Sequence, residues 1–71
     1  MKKKLESLQI QGKIGIAVDS PEHGYATVER SGANEFYFAG EKWDHAADSA
    51  EDMVDYLDKY NYTYIGLEQI Y

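Results

Sequence analysis

Apolar and polar residues alternate along the first half of this chain and then change period. Leu8, Ile10, Gly12, Ile14, Ile16 and Val18 occupy every second position, which puts them on one face of an extended chain. Gln11-Gly12 can split this run as a two-residue hairpin turn, or Gly12 can bulge one long strand; the turn is the preferred reading. Turn formers then crowd together in Asp19, Ser20, Pro21, Glu22, His23 and Gly24. Residues 25–30 form a second β-rich run with Ala26 and Val28 on one face. Residues 31–34 turn the chain, and residues 35–39 return with Phe36 and Phe38 facing together, a hairpin closed by Gly40.

Beyond this point Ala46, Ala50, Met53, Val54, Leu57 and Tyr60 recur at helical spacing. Ser49 is a suitable N-cap, with Asp52 three positions on as an Asp variant of the capping box. Asn61 tolerates the left-handed conformation that ends a helix. The spacing predicts a helix over residues 49–60, about 18 Å long, with a start at Asp44 as the alternative. Residues 62–71, rich in aromatic and β-branched side chains, predict a last strand. Tyr62 and Tyr64 share one of its faces, and Thr63, Ile65 and Leu67 the other. Tyr rings that fill the core while their hydroxyls reach water are favoured there.

These elements predict one α+β domain over residues 1–71. A small, mainly antiparallel sheet of four to five strands runs in the order β-β-β-β-α-β, with one helix on one face. Neither layer can bury its apolar side alone. Residues 1–4 are expected as a flexible basic N-terminus and solubilising tail.

Composition narrows the function classes. With 71 residues the chain buries only about 60% of its unfolded surface, which makes a buried catalytic cleft improbable. Cysteine is absent, which excludes disulfides, Cys-based zinc sites and thiol nucleophiles. The start Met1-Lys2-Lys3-Lys4 is followed by Glu6, Ser7, Gln9 and Gln11 instead of an apolar segment. It does not read as a secretion signal, and a cytoplasmic location without membrane contact is expected.

Charge is segregated. Residues 1–13 carry net +3, residues 14–40 net −3 and residues 41–71 net −6, for a total of −6. Direct nucleic-acid binding is disfavoured, because phosphate contacts need clustered Lys and Arg. Three lysines at the start of the chain do not outweigh thirteen acids elsewhere.

Asp44, Asp48, Glu51, Asp55 and Asp58 step by four, three, four and three residues, one stripe on a helix, flanked by Asp52. A solvated face explains most such runs, and Asp55 can pair with Lys59. Yet Asp58 sits at the end where the helix dipole disfavours an anion. The pairs Asp44/Asp48, Asp48/Asp52 and Glu51/Asp55 set like charges at i,i+4. The stripe therefore reads as a docking surface whose charges repeat roughly every 5 Å, coarsely like a phosphate backbone.

Seven tyrosines and one tryptophan add candidate anchors. Trp43, Tyr56 and Tyr60 lie beside the stripe. Tyr25, Tyr37 and Trp43 are candidates for the sheet face that the helix leaves open. Asp19, Glu22 and His23 share a turn, and Trp43-Asp44-His45 sets an acid beside the other histidine; neither has metal-ligand spacing. Gly12-Lys13-Ile14-Gly15 is too short and extended for a phosphate loop. No catalytic residue, metal or cofactor is expected.

The expected function is a small acidic protein-binding module, an inhibitor or adaptor. It sets Asp44, Asp48, Glu51, Asp55, Asp58, Trp43, Tyr56 and Tyr60 on a basic, nucleic-acid-binding surface of a partner protein. The alternative is a homo-oligomeric structural protein that pairs through an exposed sheet edge or an aromatic sheet face. A homodimer joining the basic tip of one copy to the acidic helix of another is a further expectation, and such a contact weakens with salt.

Overall fold

A computed structural model describes residues 1–10 and 14–69. The elements are α1 (Lys2–Glu6), β1 (Ile14–Ser20), β2 (Gly24–Gly32), β3 (Glu35–Gly40), β4 (Asp44–Ala47), α2 (Ala50–Lys59) and β5 (Thr63–Gln69). The α+β class, the antiparallel sheet and the helix ahead of the last strand match the sequence reading; the count of four strands before that helix is reached differently, because residues 7–10 form no strand and β4 is an additional one. The turn expected at Gln11-Gly12, and the last two residues of the expected final strand, lie outside the described residues.

Spatially the strands run β4-β3-β2-β1-β5, and every neighbouring pair is antiparallel. The first four strands form a meander. The chain then leaves one edge of the sheet through α2 and returns at the opposite edge as β5, beside β1. One irregularity interrupts the ladder. Ala17 pairs with Gly66 but Val18 with Tyr64, which leaves Ile65 as the extra residue of a bulge.

The core lies between the helices and one sheet face. Ile16, Val18, Ala26, Val28, Phe36 and Phe38 supply the sheet side; Leu5, Leu8, Met53 and Leu57 supply the other. Tyr62 is buried and Tyr64 packs against the same cluster, so the tyrosines take the inner positions. Helix α2 has both of its sequence-encoded ends. The Ser49 hydroxyl accepts the Asp52 N–H at 3.1 Å. Asn61 stands at φ 59°, the Tyr62 N–H donates to the Leu57 carbonyl at 2.9 Å, and the Asn61 N–H donates to the Asp58 carbonyl at 3.2 Å. These two bonds make a Schellman end, and Tyr62 and Leu57 both belong to the buried core cluster.

Two segments differ from the sequence reading. Residues 2–6, expected as tail, form α1, with Leu5 fully buried and Met1 against the core. Leu8, expected in a strand, follows α1 and is also buried. Arg30 holds this segment down. Its guanidinium lies 5.6 Å from the Phe36 ring and donates to the carbonyls of Glu6, Leu8 and Ala33. Residues 44–47, included in the alternative early start of the helix, are instead β4. Phe36 pairs with Ala47 and Phe38 with His45, so β4 satisfies the backbone groups along the free side of β3. Ala46, grouped by spacing with the helix's inner residues, is exposed on the outer face of the sheet.

Candidate functional site

Helix α2 buries Ala50, Met53 and Leu57, and exposes Glu51, Asp52, Asp55 and Asp58. At 100° per residue, Glu51, Asp55 and Asp58 stay within a narrow arc opposite Leu57, with Asp52 beside them. Glu51 and Asp52 sit in the first turn, at the positive end of the helix dipole. Asp55 and Asp58 have no such support. The expected Asp55–Lys59 pair does not form; the Lys59 ammonium lies over the Tyr60 ring, 5.5 Å from its centre. Among the described residues no Lys or Arg nitrogen comes within 4.0 Å of any carboxylate. No ion pair thus neutralises the row at contact distance, although Lys59 lies one turn beyond Asp55 and Lys2 lines a cleft with Glu51.

The stripe is shorter than its spacing implied. Asp44 belongs to β4, pairs with Ala39, and stands on the sheet face away from α2, where it accepts the Tyr37 hydroxyl at 2.6 Å. It leaves the candidate surface because strand pairing, with a period of two, replaces the helical period over residues 44–47. Asp48 is exposed in the turn just ahead of Ser49, outside the helix.

Trp43, Tyr56 and Tyr60 converge beside α2 as half-buried members of a larger ring cluster. Tyr56 stacks on His45 at 3.9 Å with the rings 2° from parallel, and meets Phe38 edge-on at 5.2 Å. Tyr60 is 5.0 Å from Tyr56 and 5.9 Å from Trp43. His23 packs edge-on against both Trp43 and Tyr60. The Trp43 indole N–H donates to the Tyr56 hydroxyl. Burial raises the Tyr56 and Tyr62 phenols above their ordinary value; for Tyr56 the indole N–H pulls the other way.

Two local features aim Trp43 into this cluster. The Gly40 N–H donates to the Trp43 carbonyl at 3.0 Å, which closes the β3–β4 connection. A Cβ at Gly40 would lie 2.8 Å from that same carbonyl oxygen, so only glycine permits the approach. From the other side, the Ser20 hydroxyl donates to the Tyr60 carbonyl at 2.8 Å and anchors the end of α2 to β1. Sequence reasoning did not place either histidine in the cluster. His23, Trp43 and Tyr60 come from three separate connections, and no local spacing joins them. Among the described residues no three His, Asp or Glu side chains converge as a metal site.

The sheet face away from the helices carries Tyr25 and Tyr37, as the sequence suggested; Trp43 turns to the helix side instead. The Tyr25 hydroxyl donates to Glu68, a bond from β2 across β1 to β5. Ala17, on the same face, is only 6% exposed. Hydrogen bonding to Glu68 and to Asp44, respectively, raises the Tyr25 and Tyr37 phenols above the ordinary value.

A cleft of about 210 Å³ lies between α1, Arg30 and the start of α2. Its walls mix Lys2 with Glu6 and Glu51; both terminal nitrogens of Arg30 donate to backbone carbonyls, while its buried Nε has no partner. No helix among the described residues is long and apolar enough to cross a membrane. Compared with known proteins, the chain matches no family model, no curated sequence and no solved structure.

Proposed function

We propose that this chain is a small acidic protein-binding module. It docks the outer face of α2 on a basic, nucleic-acid-binding surface of a partner protein and so acts as an inhibitor or adaptor. The observation that carries this reading is the exposed row Glu51, Asp55 and Asp58, flanked by Asp52, none of which among the described residues pairs with a Lys or Arg within 4.0 Å. Along a helix the row advances roughly 5 Å per turn, a spacing suited to Lys and Arg side chains that otherwise contact phosphates. Such carboxylates also steer a basic partner during approach. Asp48 extends the row beyond Ser49, whereas Asp44 takes no part. Trp43, Tyr56 and Tyr60 supply aromatic anchors held in place by ring packing. In this reading the chain binds and does not turn over a substrate.

The test is affinity capture from host cytosol with the wild-type chain and a Glu51→Lys/Asp55→Lys/Asp58→Lys variant. A partner retained by the wild type, eluted by salt, displaced by duplex DNA and lost by the variant supports the reading. Equal retention of that partner by a folded variant refutes it.

A further inference from the structure

We infer that β5 is a self-pairing edge, on which a second copy of this chain lays its own β5 antiparallel to join the two sheets. The sheet order leaves β4 and β5 as the edge strands. Strand β4 is four residues long, whereas β5 runs for seven without Pro, Lys or Arg, the residues that usually guard an edge. The bulge at Ile65 breaks its ladder with β1, and regular pairing resumes at Gly66 and continues to Gln69. The bulge leaves a regular template no longer than β4, so the exposed Ile65 and Leu67 side chains, and not length, single out β5.

Apolar exposure concentrates beside it. Of the five exposed large hydrophobic residues among the described residues, Ile10, Ile14, Ile65 and Leu67 belong to β1, β5 and the segment before β1; the fifth is Tyr25. Leu67 is 66% exposed although it pairs with the fully buried Ile16, because the helical layer stops short of this corner. Ile14 and Leu67 line a groove of about 190 Å³ with Ser7, Leu8 and Gln9.

Charge favours a like copy here and nowhere near α2. At net −6, two chains repel wherever acids crowd. The acidic helix packs on β3 and β4, toward the opposite edge. Of the basic residues of α1, Lys4 reaches this side, its ammonium 4.4 Å above the Tyr64 ring, whereas Lys2 lines the cleft with Glu51 at the start of α2. The strand's one acid, Glu68, already accepts the Tyr25 hydroxyl. A twofold axis through β5 satisfies both edges with the same surface and leaves both α2 faces free.

Light scattering on the wild-type chain across a concentration series tests this, paired with exchange of the β5 amides that point away from β1, since the inward ones are already bonded to β1. The expected result is a mass of two chains with these amides protected in step with the mass, and a twofold fall in mass for Leu67→Lys with circular dichroism unchanged. A wild-type chain that stays monomeric with these amides freely exchanging overturns the inference and leaves the edge to a strand of another protein. So does a dimer in which they remain unprotected. If Leu67→Lys unfolds, Ile65→Lys and the wild-type exchange data decide.

Discussion

Replacing Asp58 by Lys should make this protein more stable, not less. Asp58 is exposed in the last turn of α2, two positions before the cap residue Tyr60, where backbone carbonyls give the helix end partial negative charge. An ion of the right sign at such an end contributes about 0.3–1 kcal/mol and one of the wrong sign costs as much, so reversal spans about 0.6–2 kcal/mol. Asp55, three residues back, changes from a repelling to an attracting neighbour, a swing of about 0.4–1 kcal/mol. Together the structure gives a gain of about 1–3 kcal/mol at low ionic strength. In a domain of this size each kcal/mol moves the thermal midpoint by about 4–8 °C, so calorimetry in dilute buffer should show a rise of several degrees. At molar salt, where the Debye length falls to about 3 Å, most of the gain should vanish. An unchanged or lowered midpoint in dilute buffer refutes the electrostatic argument. A gain insensitive to salt assigns it to helix propensity instead, and Asp58→Asn separates these contributions. If the gain is found, folding stability does not account for Asp58, which is what a docking role requires.

Phe38 is fully buried, between the rings of Tyr56 and Tyr62. Phe38→Ala should cost about 3–5 kcal/mol, out of a total of roughly 4–11 kcal/mol for a chain this long; urea titration should find the variant largely unfolded or close to it. Ser49→Ala removes the acceptor for the Asp52 N–H and should cost about 1 kcal/mol, with Ser49→Asp restoring most of it. Raised Tyr25, Tyr37, Tyr56 and Tyr62 phenols stabilise the fold fully below the unfolded value near 10, and that contribution is lost as pH climbs through their folded values. A phenolate titration by ultraviolet absorbance should show a late group of tyrosines whose ionisation coincides with unfolding, and native-state titration of all seven at the ordinary value would contradict this.

Much of the fold is legible in the sequence because its signals are local. Ser49, Asn61 and the spacing of Ala50, Met53 and Leu57 define α2 to within a residue. The hairpin of β2 and β3 follows from two β-rich runs around a turn. Strand β4 was not legible, because four residues carry too little alternation to outweigh the helical spacing that Ala46 shares with Ala50 and Met53. The free side of β3 decides the matter instead. Helix α1 was hidden for a similar reason. Leu8 and Ile14 also fit a strand's alternation, and five residues hold a helix only when Leu5 is buried and Arg30 binds its carbonyls. Of the candidate surface, the acids on α2 were readable from spacing. The ring cluster was not, since His23 and Trp43 meet only after three connections gather at one end of the sheet.

The placement of β5 beside β1 also orders events in time. The bonds Ser20–Tyr60, Tyr25–Glu68 and Thr63–Asp19 link residues 40, 43 and 44 positions apart. Closing so long a loop spends chain entropy before any contact rewards it. In chain order the meander of β1 to β4 is complete at Ala47, whereas β5 begins only at Thr63. Until residue 63 emerges, β1 is itself a bare edge, with neither Tyr62 nor Tyr64 yet beside it. The nascent chain thus presents a different vulnerable strand from the finished one.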